Sequence, residues 1–208
     1  ALMVSEDAQS AGYMARQVLC QVSGISPEMV LSHRDDVVPK ETRWAVHAAD
    51  DRLLSGEPLA YVLGEWEFYG LPLYVTKDVL IPRDDTCAVA ELAIKKGLFL
   101  DQDPRILDLC TGSGCIGLAI ANRVKDARVT LADISKEALA VAKKNVQANK
   151  VSGHVSCVQA DALKPAAPFL GKFDMIVSNP PYITGNEMKE LPTSVKDYEP
   201  HMALFGGE

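Results

Sequence analysis

Two segments of this 208-residue chain hold residue types whose spacing allows them to do chemistry together. The first is Phe173-Asp174-Met175-Ile176-Val177-Ser178-Asn179-Pro180-Pro181-Tyr182, an apolar run that reads as a buried strand ending in Asn-Pro-Pro-Tyr. Consecutive prolines fix φ and remove backbone donors, so the corner offers acceptors: the Asn179 side-chain oxygen and the Pro180 carbonyl. Those two oxygens suit the N–H groups of a planar amide or amine nitrogen. An amide nitrogen is a poor nucleophile because its lone pair is delocalised into the carbonyl, so it must be held in place against its electrophile. Tyr182 adds an aromatic face for a flat group or a cation. In isolation the same tetrapeptide reads equally well as a turn, since Asn-Pro often opens one.

The second segment is Ile106-Leu107-Asp108-Leu109-Cys110-Thr111-Gly112-Ser113-Gly114-Cys115-Ile116-Gly117. It reads as a strand, a glycine turn and a helix. Glycines let backbone approach a ligand closely, and the helix start favours a carboxylate or phosphate. The pattern Gly112-x-Gly114-x-x-Gly117 alone suits NAD as well as S-adenosylmethionine. Asp108 before the turn, and a second motif at a later strand end, tilt the choice towards S-adenosylmethionine. Asp133, just after the next strand, is placed to accept from both ribose hydroxyls. The plainer alternative has Asp108 capping a turn and Asp133 starting the next helix with Ser135. Ligands of open α/β sheets bind at strand carboxyl ends, so both motifs are expected to face one crevice. Methyl transfer there is a direct in-line displacement and needs no separate nucleophile.

The elements that position these segments follow from periodicity. From Asp7 to about Gly56 the pattern is helical, with Met14, Val18 and Val22 on one stripe and a later run, Lys40 to Ser55, carrying Trp44, Ala48 and Leu53 or Leu54. Gly24 and Gly56 stand where helix C-caps belong. Trp66 to Val75 predicts a hairpin broken at Gly70-Leu71-Pro72. Asp84 or Asp85 caps a helix running to about Lys96. Apolar runs at Ile106–Leu109, Val129–Leu131, Val155–Val158 and Met175–Val177 alternate with helical stretches at Ile116–Val124 and Lys136–Asn149, the signature of βαβ units and a parallel sheet.

Bulk properties narrow the class. No apolar run approaches a membrane span, and Glu6 and Asp7 do not fit a secretory signal, so a cytoplasmic protein is expected. The five cysteines form no C-x-x-C pair and read as free thiols, with no metal site. A net charge of -7 argues against attraction to phosphate backbones.

These segments together resemble the HemK or PrmC family, which methylates the glutamine of the Gly-Gly-Gln motif in peptide chain release factors. The resemblance includes Gly56-Glu57-Pro58-Leu59-Ala60-Tyr61-Val62-Leu63-Gly64, Glu67-Phe68-Tyr69-Gly70, Val79-Leu80-Ile81-Pro82-Arg83-Asp84-Asp85-Thr86, Asp133-Ile134-Ser135 and Glu199-Pro200-His201-Met202-Ala203-Leu204-Phe205-Gly206-Gly207. Asn-Pro-Pro-Tyr alone is shared with adenine methyltransferases; the other segments are not. The resemblance implies an α/β fold with a Rossmann-like S-adenosylmethionine-dependent methyltransferase sheet. It divides the chain into a helical N-terminal docking domain (1–64), a β-hairpin connector (65–83) and a methyltransferase domain (84–208). It implies that Asp108, Cys110, Thr111, Gly112, Ser113, Gly114, Asp133, Ile134 and Asn179 bind the cofactor, with Asp161 and Ala162 beside the adenine. Asn179, Pro180, Pro181 and Tyr182 would hold the glutamine. A protein substrate, a monomeric state, and neither direct nucleic-acid nor membrane binding are expected. Cys110 stands where the family usually has glycine, which implies a backbone position that does not need φ > 0; Cys87 stands where it usually has glutamate. The chain begins inside what resembles the first helical hairpin of the family and ends soon after Asn179, so a sheet lacking its C-terminal strands is expected.

Three other readings compete. A nucleic-acid adenine methyltransferase would act on a similarly planar nitrogen, but a basic recognition segment is not found. An NAD-dependent dehydrogenase needs an acid or base for hydride transfer, and His33, His47, His154 and His201 all fall outside the two motifs. A non-catalytic truncated binding module rests on the short C-terminus alone.

Overall fold

The computed structural model describes residues 8–207, so the expected helix start at Asp7 lies outside the described residues. Two compact units make up the chain. One runs to Gly64 and takes in Thr193–Tyr198; the other runs from Glu65 to Pro192 and resumes at Glu199.

The first unit is helical: α1 (Ala8–Ser23), α2 (Lys40–Leu54) and α3 (Leu59–Leu63), with a helical turn at Thr193–Lys196. On α1 the expected stripe is inward, Val18 buried and Met14 and Val22 half-buried. On α2 it is not. Trp44 and Ala48 are exposed, and Ala49 is the buried residue. The Lys40 ammonium lies over the Trp44 ring at 4.6 Å, a cation–π contact that gives the outward indole a partner at the surface. Arg52 fastens α2 to α3 by donating to both carboxylate oxygens of Glu57 at 2.7 and 2.5 Å and to the Tyr61 carbonyl at 2.9 Å. Tyr198 donates to the Ser55 carbonyl at 2.6 Å and so holds the returning segment.

The second unit opens with an antiparallel hairpin, β1 (Glu65–Phe68) and β2 (Leu71–Tyr74). Its turn is Tyr69-Gly70, both at positive φ, 53° and 76°, as the two central residues of a type I′ turn require. Leu71 and Pro72 therefore belong to the strand and not to the break; Pro72 pairs with Glu67 in a two-stranded ribbon, where a proline is tolerated. Next comes α4 (Thr86–Gly97). Asp85 occupies its cap position but makes no side-chain capping bond.

Four strands follow, β3 (Arg105–Leu109), β4 (Arg128–Asp133), β5 (Val155–Gln159) and β6 (Met175–Ser178), with α5 (Cys115–Arg123) and α6 (Lys136–Ala148) between them. They form one parallel sheet in the order β5-β4-β3-β6. Every residue of α5 from Cys115 to Ala121 is buried, which explains why its sequence is apolar on all sides; it packs on β3, β4 and α4. Ser135 caps α6 by accepting from the Ala138 amide at 3.0 Å. Ile106, Leu118, Ile120, Val129 and Leu131 are among the fully buried side chains, each contributing about 1.5–3 kcal/mol through removal from water.

Fully buried Asn145 on α6 joins the hairpin to the glycine turn. Its Oδ1 accepts from the Tyr74 amide at 2.6 Å, and its Nδ2 donates to the carbonyls of Tyr74 and Ser113, both at 2.9 Å. Asn145→Leu would leave the buried Ser113 carbonyl and the part-buried amide and carbonyl of Tyr74 without this partner, so we expect a loss of about 1–3 kcal/mol. Urea unfolding measures it; a change within about 0.5 kcal/mol, the range of neutral substitutions, would refute the assignment.

Candidate functional site

The crossover between β5 and β6 carries the chain from one side of β3 to the other, so β3 has β4 on one flank and β6 on the other. That reversal creates a crevice at the carboxyl edge. Pairing of Leu109 with Ala132, of Leu109 with Ser178 and of Asp133 with Gln159 sets the four strand ends nearly level. Each expected site segment starts there: Asp161-Ala162 beyond β5, Asp133-Ile134 at the end of β4, Cys110–Gly114 after β3 and Asn179–Tyr182 after β6. Four neighbouring strands about 4.8 Å apart span roughly 14 Å, room for an extended nucleoside with an amino-acid arm.

Asp108 anchors the glycine turn. Buried to 1% exposure, its Oδ2 accepts from the Thr111 hydroxyl at 2.6 Å and the Gly117 amide at 2.9 Å, while its Oδ1 is buried without a partner. It thus shapes the turn from below, as do buried Thr111 and Ser113. Burial pushes the carboxyl up to about 6, against the lowering effect of the Thr111 and Gly117 bonds, and Asp133 raises it further. Gly117 is required by close packing: a Cβ there would overlap the Leu131 side chain and lie 3.0 Å from Asp108 Oδ2.

Cys110 corrects the sequence reading. It sits at φ 59°, and Gly112 and Gly114 follow at 54° and 86°. The turn out of β3 thus takes a left-handed step at each of these three residues, and the position needs positive φ although it is not glycine. That conformation is disfavoured by about 1–2 kcal/mol for an L-residue. Burial raises the Cys110 thiol, only partly offset by a hydrogen bond with Ser178, and burial pushes Cys115 up to about 12. Neither acts as a thiolate at neutral pH.

Asp133 is half-buried with exposed Ile134 next to it. Its Oδ2 accepts from the Gly112 amide at 2.8 Å and its Oδ1 from the Ser135 amide at 3.0 Å. Each carboxylate oxygen has a second lone pair, so the side chain that orients the turn retains capacity for two hydroxyl donors. The sugar role and the helix-start role weighed from the sequence are thus compatible. Asp161 caps its own turn through the Leu163 amide at 3.0 Å and pairs with Lys164 at 3.1 Å, bonds that hold its carboxyl below the usual range. Ala162 is exposed beside it.

At the second corner Asn179 is half-buried and Tyr182 exposed. Asn179 Nδ2 donates to the Thr86 hydroxyl at 3.4 Å, which orients the amide with its oxygen as the acceptor on the other side. Ser178 Oγ donates to the Leu109 carbonyl at 2.6 Å, bridging the roots of the two corners. Thr86, Ser178, Asn145 and Glu199 were not identified from sequence. Thr86 and Glu199 do lie in segments singled out by the resemblance, and that was the available signal.

The raised carboxyl of Asp108 has a consequence for stability. The native state holds its proton over a range where the unfolded chain has released it, so this group stabilises the fold fully below about pH 4, and the contribution is lost as pH rises through about 6. In Asp108→Asn we expect the slope of stability against pH between 4 and 6 to flatten. Denaturant titrations at fixed pH measure it, and an unchanged slope would contradict the assignment.

Residues 5–64 match the PrmC N-terminal domain and residues 92–194 the methyltransferase small domain. A release factor glutamine methyltransferase of Chlorobaculum tepidum is 43% identical over 183 residues, covering 85% of this chain and 62% of that protein. One from Francisella tularensis is 40% identical over 193 residues, covering 93% and 66%. The chain thus spans somewhat under two thirds of the length of these relatives. Among solved structures, the hMettl16 catalytic domain in complex with MAT2A 3′UTR hairpin 6 aligns with a TM-score of 0.50 at 20% identity, over 67% of this chain and 52% of that one, which shows the α/β methyltransferase fold alone. With both of its parts matched and relatives 40–43% identical along most of its length, the chain belongs to the release factor glutamine methyltransferase family.

Proposed function

We propose that this chain transfers a methyl group from S-adenosylmethionine to the side-chain amide nitrogen of the glutamine in the Gly-Gly-Gln motif of peptide chain release factors. The observation that carries the reading is the adjacency of the glycine turn and the Asn-Pro-Pro-Tyr corner on β3 and β6, with the Asn179 nitrogen engaged by Thr86 and its oxygen left as acceptor. The residues fit the cofactor: Asp133 keeps lone pairs for the ribose hydroxyls, Ile134 offers an apolar surface to the adenine with Asp161-Ala162 beyond, and Cys110–Gly114 bring backbone close to the amino-acid arm. The bound cofactor supplies an electrophilic methyl on a positively charged sulfur.

The chain's own work is positioning. Asn179 Oδ1 and the Pro180 carbonyl accept the two N–H groups of the glutamine amide and fix its plane, which concentrates the weak nucleophile at the methyl. Pro181 stiffens the corner, and Tyr182 stacks on the flat amide. Held at this corner, the amide nitrogen would take the methyl as the bound cofactor gives it up, and would lose one proton to water. In this reading residues 1–64 serve as the docking domain for the release factor, residues 65–83 as the connector and residues 84–208 as the methyltransferase domain. The protein acts as a monomer in the cytoplasm, without direct contact to nucleic acid.

We expect labelled methyl to reach a release factor carrying Gly-Gly-Gln but not one carrying Gly-Gly-Ala, and not an adenine-containing oligonucleotide. Asn179→Ala should lower kcat by about 10²–10³-fold, the loss typical of one removed polar contact to the reacting group, while S-adenosylmethionine still binds. Equal labelling of both factors would remove the glutamine assignment, and labelled oligonucleotide would favour the adenine alternative.

A further inference from the structure

The Asn-Pro-Pro-Tyr corner projects beyond its strand into a segment with two prolines and an exposed tyrosine, yet its function, on the reading above, depends on an unmoving acceptor pair. Something outside the sheet must hold it. The segment Glu199–Gly207 lies against it: Ile183 bridges Phe205 in parallel, the Ile183 amide donates to the Leu204 carbonyl at 3.0 Å, and the Gly206 amide donates back to the Ile183 carbonyl at 3.0 Å. The approach is close enough that a Cβ on Gly206 would sit 2.7 Å from Tyr182 Cα and 2.8 Å from the Pro181 carbonyl oxygen.

That segment is in turn fastened by one buried carboxylate. Glu199 is 5% exposed; one of its oxygens accepts from the Ile81 amide at 3.1 Å and the other is paired with the Arg83 guanidinium. Ile81 and Arg83 lead directly into α4, whose first residue, Thr86, holds the Asn179 side chain. The carboxylate therefore stands where two supports of the corner meet, one reaching Pro181 and Tyr182 through Gly206 and one reaching Asn179 through Thr86. A buried carboxylate is stable only with its partners in place, so both supports are locked together.

We propose that Glu199 is a positioning residue for methyl transfer: through Ile81 and Arg83 on one side and the Leu204–Gly206 stretch on the other, it fixes Asn179, Pro181 and Tyr182 in the geometry that grips the target nitrogen. The proposal rests on the function proposed above. It assigns a task to the Glu-Pro-x-x-Ala-Leu segment that the cofactor and substrate contacts leave unexplained. Glu199→Gln preserves size but turns an N–H donor towards either the Ile81 amide or the Arg83 guanidinium, both of which are donors themselves.

Steady-state methylation of a Gly-Gly-Gln release factor, S-adenosylmethionine titration and amide hydrogen exchange together test it. In Glu199→Gln, kcat should fall about tenfold or more, the scale expected when a gripping geometry loosens slightly, with the S-adenosylmethionine dissociation constant and the KM for the release factor changed less than about threefold. The amides of Ile183 and Gly206 should exchange faster, that of Gly117 unchanged. Gly206→Ala, which displaces the corner from the opposite side, should show the same split and serves if Glu199→Gln does not fold. Wild-type kcat in folded variants, or cofactor affinity falling in step with kcat, would overturn the proposal. If the wild-type protein does not methylate Gly-Gly-Gln at all, the reading of function fails instead, and unchanged exchange at Ile183 and Gly206 in Glu199→Gln would then overturn the positioning role independently.

Discussion

The pairing of β3 with β6 is the constraint on which the rest of the site depends. Had the chain after β5 continued outward and paired beyond it, two strands, β5 and β4, would separate the Asn-Pro-Pro-Tyr corner from the glycine turn. Crossing to the far flank of β3 brings Ser178 level with Leu109, and Ser178 Oγ bonds the Leu109 carbonyl. Both corners then grow from adjacent positions of one edge, and the register of a parallel ladder fixes their separation more firmly than any loop contact would.

Around that edge, buried polar side chains with distant partners keep irregular backbone in place. Asp108 organises the glycine turn from within, Asn145 joins it to the hairpin, Glu199 fastens the last segment to the approach of α4, and Thr86 orients Asn179. Asp108, Asn145 and Glu199 replace water at backbone groups that would otherwise be left unpaired, whereas Thr86 acts on a side chain. Left-handed steps at Cys110, Gly112 and Gly114 show how tightly the turn is wound, and the cysteine is held there at an energetic disadvantage by its surroundings. Burial also raises the thiols of Cys110 and Cys115 on either side of this turn, which disfavours their thiolate forms.

Much of the fold was legible in the sequence because its signals are local. Four short apolar runs, glycines after the first and Ser135 before a helical pattern mark β3 to β6, the turn and the start of α6 without reference to any other part of the chain. Hidden from that reading was whatever depends on distant partners. Thr86 and Asn179 are 93 positions apart, Glu199 and Ile81 118, and Tyr74 and Asn145 71; a single polar residue has no periodicity to betray such a bond. Cys110 misled because residue type was taken as a guide to φ, whereas the turn imposes the conformation. Trp44 misled because a large apolar residue at helical spacing was read as inward, when it lies exposed at the surface beneath a lysine one turn earlier. At Pro72 the error had a similar root: proline was read as a break, although in a two-stranded ribbon it costs little.

The central claim is spatial, and a crystal structure with S-adenosylhomocysteine and a Gly-Gly-Gln peptide tests it most directly. The nucleoside should lie across the ends of β4 and β5 with its sugar on Asp133, and the glutamine nitrogen between Asn179 Oδ1 and the Pro180 carbonyl, roughly 5 Å from the sulfur, the room left for one transferable methyl at near-attack distance. A nucleoside bound away from this edge, or a glutamine amide lodged elsewhere while Asn179 faces only Thr86, would contradict it.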